Sequence, residues 1–283
     1  MEDLVTVGVD GSPSALAAVE AAAQEAALRG AGLRIVHAFV WPGLHVPPGS
    51  TLGPAHGPLR ERAEALVTRA VERARSAAPQ VEVESAIVAG ETATVLIARS
   101  EAARLLVVGA PDTEGATDPA VSSMTEHLTG HARCPVMVVR GRASLAGPVV
   151  LGVDLSTAGR AAAGFALLEA SLRHQNLVAL HVREEGIPPD PQGHEHSAPA
   201  QRAVRAVLSE HLGRHPEVAV EVRVVSGDAR STLVTASHDA GLLVTGTRGH
   251  GGLLGMLLGS VSRSVLRHAR CPVAVVRPDG DGP

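Results

Sequence analysis

Short aliphatic runs alternate along the whole chain with segments in which apolar residues recur every three or four positions. In the first half, runs near Leu4 to Val9, Leu33 to Ala38, Val81 to Val88, Leu105 to Gly109 and Val136 to Val139 predict five strands. In the second, runs near Val149 to Val153, Leu177 to Val182, Val218 to Val225, Leu242 to Gly246 and Val273 to Val276 predict five more. The stretches LLVVGA, VVLGV and LLVTG are apolar almost without a break, as strands covered on both faces should be. Between the runs, Ser12 followed by Pro13 signals a helix N-cap and first turn, and Leu16, Val19 and Ala23 predict its buried stripe. Ala161, Phe165, Leu168 and Leu172 predict the same face on the matching helix of the second half.

The two halves repeat each other. Asp10 and Asp154 end similar strands 144 positions apart, as do His37 and His181, whereas Gly90 and Gly227, Gly109 and Gly246, and Cys134 and Cys271 lie 137 apart. A loop must therefore have changed length after the histidines, which places it at Val40 to Gly57 and at Ile187 to Pro199. Strand and helix alternation within each repeat predicts an α/β fold of two tandem doubly wound domains, each with a five-stranded parallel sheet. The boundaries fall at 1–141 and 147–283, with GRASLAG (Gly141 to Gly147) as linker and the tail after Arg277 loose.

Composition narrows the chemistry. The 283 residues are 45% hydrophobic and 19% charged, enough to bury a core, yet Phe39, Phe165 and Trp41 are the only aromatics. A bound base would therefore sit among aliphatic side chains, and stacking on single-stranded nucleic acid is not expected. A net charge of −4 gives no general attraction for polyanions, so nucleic acid is not a predicted partner. All 25 basic residues are Arg, which excludes a Walker lysine, a Schiff base and a pyridoxal phosphate linkage. The N-terminal MEDLVTVGVDGS lacks the pattern of a signal peptide, and no run reaches the roughly 18 apolar residues of a membrane span, so a cytoplasmic protein without a membrane partner is expected. Cys134 and Cys271, each in the string ARCPV, read as buried core thiols.

In an open parallel sheet the ligand crevice lies at the carboxyl ends of the strands. After the fourth strand of the second half, Gly246, Gly249 and Gly259 with Ser260 follow the pattern GxxG, nine residues, GS. Such a loop brings backbone amides close to phosphate oxygens and feeds a helix near Ser260, whose N-terminal amides attract anions. Ser260 and Val261 would hold a polyphosphate, with Arg248 and His250 adding positive charge to the same rim. Asp154 could accept a hydrogen bond from an adenine amino group, and Val182 offers an apolar wall. His37 and His181, inside strands, read as satisfied core residues, and His194, Glu195 and His196 resemble a metal site only superficially, so no metal site is expected.

The VD ending the first strand, the HV of the second, the GxxG-nine-GS loop and the final CPVAVV together resemble the universal stress protein family, twice over nearly the whole chain. That resemblance implies an adenine nucleotide α-hydrolase-like, Rossmann-type domain that binds ATP, with Mg2+ as a candidate companion. Adenine would lie near the first two strands and the phosphates on the glycine loop. The implied contacts are Asp154, Val182, Gly246, Thr247, Arg248, Gly249, His250, Gly259, Ser260 and Val261. Leu155 departs from the pattern, since the first half has Gly11 there, which predicts a differently shaped turn.

The first half departs further: Asp112 and Ser122 replace Gly249 and Gly259, and Glu114 and Asp118 add charge, while Asp10, Gly109 and Ser123 survive. Two like charges ~4 Å apart repel by about 1 to 4 kcal/mol between bulk water and an effective dielectric of 20, so this site is expected to be weak or lost. No catalytic residue is expected. The leading function is a nucleotide-dependent regulator in stress response or growth control, read by an unknown regulatory protein. An enzyme of adenylyl transfer or ATP-dependent activation would need an SGGxDS-type or HIGH-type motif, and neither is present; a scaffold that has lost its nucleotide is the third reading. The edge strands CPVMVV and CPVAVV suggest intramolecular domain pairing, and a homodimer is left open.

Overall fold

The computed structural model describes residues 3–40, 58–110, 119–140, 146–183, 197–247 and 258–278. The chain divides into two compact units, Met1–Ala143 and Ser144–Pro283. Unit 1 runs β1 (Leu4–Gly8), α1 (Pro13–Arg29), β2 (Gly32–Phe39), α2 (Pro58–Ala77), β3 (Val83–Ala89), α3 (Thr92–Ser100), β4 (Leu105–Gly109), α4 (Pro119–His131) and β5 (Val136–Val139). Unit 2 runs β6 (Val149–Gly152), α5 (Thr157–Leu172), β7 (Leu177–Arg183), α6 (Ser197–Leu212), β8 (Val220–Ser226), α7 (Ala229–Ala236), β9 (Leu242–Gly246), α8 (Ser260–His268) and β10 (Val273–Val276).

Strand order is β3-β2-β1-β4-β5 in unit 1 and β8-β7-β6-β9-β10 in unit 2, and the pairs within each unit are parallel. The registers repeat as well: Val5 faces Leu33 and Leu105, and Val149 faces Leu177 and Leu242. In unit 1, α1 packs with α2 and α3 with α4; in unit 2, α5 packs with α6 and α7 with α8. In each unit two helical layers around a parallel sheet explain why the inner strands β1, β4, β6 and β9, with β5 and β10, are buried and largely aliphatic, while β3 and β8 at the far edges are half-exposed.

The buried face of α1 keeps two of the three predicted stripe positions, whereas that of α5 differs from its predicted stripe. On α1 the predicted Val19 and Ala23 are buried, together with Ala15, Ala18, Ala21, Ala22, Glu25 and Ala26, while Leu16 is only half-buried. On α5 the buried positions are Ala158, Gly159, Ala162, Ala163, Ala166, Leu167, Glu169 and Ala170, while Leu168 is 38% exposed and Ala161, Phe165 and Leu172 are half-buried. Small side chains let a helix axis approach the sheet, so alanine takes the contact line and larger residues are displaced to its flanks. Loop expectations also shift, because Ser197 to Pro199 belong to α6, and 184–196 lie outside the described residues. Of the first long loop only Val40 is described, and it is exposed; residues 141–145 of the linker and 279–283 of the tail also lie outside.

Each first helix starts and ends by a local device. Ser12 caps α1 by accepting from the Ala15 amide at 3.2 Å, and Ser156 caps α5 by accepting from the Gly159 amide at 3.0 Å. Gly30 ends α1 at φ 62°, the left-handed conformation that glycine enters without steric cost. The equivalent residue of unit 2 is His174, which adopts φ 52°. Inside these helices Glu25 pairs with Arg29, and Glu169 pairs with Arg173 at 3.1 Å, with Glu169 and Glu25 almost wholly buried.

Candidate functional site

The chain crosses from one side of the sheet to the other between β6 and β9, so the carboxyl ends of these two strands form the switch-point crevice of unit 2. Asp154 follows β6 there. Its Oδ1 accepts from the Ser156 amide at 3.1 Å and from the Ser156 hydroxyl at 2.6 Å, so one carboxylate oxygen is committed to the turn. That oxygen lies over Gly159, where a Cβ would stand 2.5 Å from it. Leu155 between them adopts φ 65°, close to the 85° of Gly11 in unit 1. The turn after Asp154 therefore has the same hand in both units, contrary to the expectation from Leu155, and the strain falls on a leucine backbone instead.

Val182 is half-buried near the end of β7, and its neighbour His181 donates from Nδ1 to the Val153 carbonyl at 2.7 Å. The same bond joins His37 to Val9 at 2.8 Å. Both histidines are thus satisfied, and each ties the tip of the second strand to the residue just before the site aspartate. Sequence reasoning assigned them no site role. Their recurrence beside Asp10 and Asp154 was the available signal.

At the end of β9 the backbone is tightly organised. A Cβ at Gly246 would meet Ala158 backbone carbon at 2.8 Å, and one at Gly109 would meet the Ser14 carbonyl oxygen at 2.3 Å. Helix packing alone requires glycine at both places. Beyond it, the Thr247 amide donates to the Val276 carbonyl at 3.0 Å, and the Gly259 amide donates to the Thr247 carbonyl at 2.8 Å. The Ser262 hydroxyl donates to the Gly246 carbonyl at 2.7 Å, so α8 is fastened back onto the strand end. Ser262 was missed in the sequence because it lies within the helix, past the loop motif.

These bonds deliver α8 at a defined place, with Gly259 as its N-cap at φ −70° and ψ 160° and no side-chain cap. By contrast, α1, α3, α5 and α7 are capped by Ser12, Glu91, Ser156 and Asp228. Ser260 is exposed and Val261 half-buried at the first turn. Arg248, Gly249 and His250 lie outside the described residues.

Unit 1 differs at the same place. Helix α4 begins at Pro119, so Ser123, the counterpart of Ser260, is its fifth residue. The first four amides of an α-helix lack a partner within it and the fifth does not, so Ser123 falls beyond the anion-attracting end. Asp112, Glu114 and Asp118 lie outside the described residues. Asp10 is exposed and accepts from the Ser12 amide at 2.9 Å.

A cleft of about 410 Å³ opens in unit 2 at the amino ends of β6, β7 and β8, lined among others by Pro148, Asn176, Ala219 and Arg223. Arg223 there is held by Glu221 at 2.7 and 2.8 Å. It lies at the end of the sheet opposite the switch point, so it is not the candidate site.

The repeated doubly wound unit defines a tandem Rossmann-type α/β protein. A model of the universal stress protein family matches residues 1–140 and again 146–277, and the chain belongs to that family. It is 35% identical over 287 aligned residues to the universal stress protein Rv2623 of Mycobacterium tuberculosis, covering 96% of each chain. To a universal stress protein of Mycolicibacterium smegmatis it is 34% identical, covering 97% of each. A solved universal stress protein structure from Archaeoglobus fulgidus shares the fold, with a TM-score of 0.73 over 99% of this chain and 98% of that one at 18% identity. No helix among the described residues is long and apolar enough to cross a membrane.

Proposed function

We propose that unit 2 binds ATP, with Mg2+ on the phosphates, and that its occupancy is the signal of a cytoplasmic regulator in stress response or growth control. The observation that carries this reading is the uncapped start of α8, presented by bonded backbone at the carboxyl end of β9 beside Asp154. Unpaired amides and the helix dipole at Ser260 and Val261 would meet phosphate oxygens, and Arg248, Gly249 and His250 would close over them. With Asp154 Oδ1 held by Ser156, Oδ2 would receive the adenine amino group while Val182 covers the ring. Hydrolysis would need a general base held against the terminal phosphate. Asp154, at the adenine end and engaged in its own turn, suits recognition instead, so the role is binding and signalling to a regulatory protein, not turnover.

For unit 1 the reading is a degenerate site that contributes structure, supported by the early start of α4 at Pro119. The decisive variant is Gly259→Asp. Its carboxylate would cap α8 itself and repel phosphate, so ATP affinity should fall about 10- to 1,000-fold. Folding stability should hold or rise by a few tenths of a kcal/mol, because Asp is a slightly better N-cap than Gly. Calorimetric titration with ATP and urea unfolding read the two effects separately. Undiminished ATP binding by the variant would remove the proposal.

A further inference from the structure

The outer face of α4 carries a side-chain pair that the nucleotide reading does not use. His127 and His131 stand one helical turn apart, with ring centroids 4.1 Å from each other and planes tilted by 40°. His131 donates from Nδ1 to the His127 carbonyl at 2.8 Å. In a neutral ring that bond puts the remaining lone pair on Nε2, the same tautomer-fixing arrangement that orients histidine ligands in metal sites. His127 is exposed and His131 half-buried, so both are open to solvent ions while Leu128 and Thr129 hold the helix to the core.

Glu91 supplies charge nearby. It caps α3, which packs against α4, and its carboxylate accepts from the Ala93 amide at 3.1 Å and from the amide and hydroxyl of Thr94 at 2.9 Å. The Thr94 and Ala93 amides hold this carboxyl below its ordinary range, with a smaller contribution from His127. The counterparts of His127 and His131 in unit 2 are Ser264 and His268, so the pair belongs to unit 1 alone.

We propose that His127 and His131 together bind a divalent first-row transition-metal ion, such as Zn2+, with Glu91 as the neighbouring negative charge and water in the remaining positions. A tetrahedral ion with bonds of ~2.0 to 2.1 Å needs its two nitrogens roughly 3.3 Å apart, a spacing compatible with ring centroids 4.1 Å from each other. Among the described residues no group of three or more His, Cys, Asp and Glu forms a metal cage. The site is a two-ligand, exchangeable one, set on the unit whose glycine loop has diverged, and it departs from the sequence expectation of no metal site.

The test uses the full chain, titrated with Zn2+ by calorimetry at neutral pH. Because the protein has 14 histidines, the reading is the difference between parent and variants. The parent should show one equivalent of Zn2+ that both His127→Ala and His131→Ala bind roughly tenfold or more weakly. His268→Ala, on the equivalent helix of unit 2, should leave it unchanged. Zn2+ should also raise the melting temperature of the parent more than that of His127→Ala, a substitution at an exposed position that leaves the fold intact. Absence of this equivalent in the parent, or its retention by either histidine variant, overturns the proposal.

Discussion

The two units share strand order, register, the histidine bond to the strand before the site, and the buried Glu-Arg pair on the first helix, yet they diverge where the backbone is most constrained. Unit 1 keeps glycine at both left-handed turns, Gly11 and Gly30, and has Asp112 and Ser122 in place of the loop glycines Gly249 and Gly259. Unit 2 keeps the loop and places Leu155 and His174 at those same turns, the only positive-φ residues other than glycine among the described residues. Side-chain identity has thus drifted while the turn geometry has not. Tertiary packing fixes the hand of these turns, and a leucine or histidine is carried through them at a cost of about 1 to 2 kcal/mol each.

The comparison can be broken most severely at the buried ion pairs. Glu169→Ala leaves Arg173 buried without its carboxylate and should cost about 3 to 5 kcal/mol in urea unfolding. Glu25→Ala should cost less, because the Arg29 side chain retains 10% exposure against 3% for Arg173. Equal costs would mean that the small difference in burial does not matter.

Next in size are the strand-end glycines. Gly109→Ala drives a methyl group into the backbone of α1, and Gly246→Ala drives one into α5 by a slightly smaller overlap. Losses of roughly 1 to 3 kcal/mol are expected, larger at Gly109. If Gly246→Ala abolished ATP binding with no loss of stability, the packing account of that glycine would fail.

The turns themselves allow a cleaner exchange. No atom lies within 4 Å of a Cβ built on Gly30, so Gly30→Ala tests backbone conformation alone and should destabilise by about 1 kcal/mol. His174→Gly should move stability the other way, by about 0.5 to 1 kcal/mol. Matching melting temperatures for parent and both variants would show that the left-handed turns carry no cost.

At neutral pH the smallest effect belongs to the thiols. Burial pushes Cys134 and Cys271 each up to about 12 from an ordinary value of 9.0. Their folded values are raised, so the stabilisation from keeping them neutral is complete below about pH 9 and is lost as pH climbs towards 12. Alkylation at pH 8 should therefore follow global unfolding for both cysteines, and rapid labelling of one alone would separate the units.

Much of this architecture was legible because its signals are local and doubled. The strands β4, β5, β9 and β10 fall on their predicted ranges, since short apolar runs with Gly or Pro at one or both ends leave little alternative. Of the helix stripes, Val19 and Ala23 on α1 were legible and the face of α5 was not. In stretches as rich in alanine as Ala15 to Ala27 and Ala158 to Ala170, several phases of the helix look equally apolar, and the sheet selects the one with the smallest side chains. For the candidate site, the motif located Asp154, Gly246, Gly259 and Ser260. The partner of Asp154 Oδ1, the Ser262 anchor and the strand-tip bond from His181 join residues that motif spacing does not relate.

The amino-acid sequence by itself determined the tandem repeat, the α/β alternation and the glycine loop, because each depends on composition and spacing along a short stretch of chain. Tertiary structure alone decided that Leu155 and His174 turn left-handed, that Gly246 answers first to Ala158, and that α4 starts a turn before Ser123. Those outcomes depend on how closely a helix approaches a strand end, and that distance is set by packing across elements far apart in the chain.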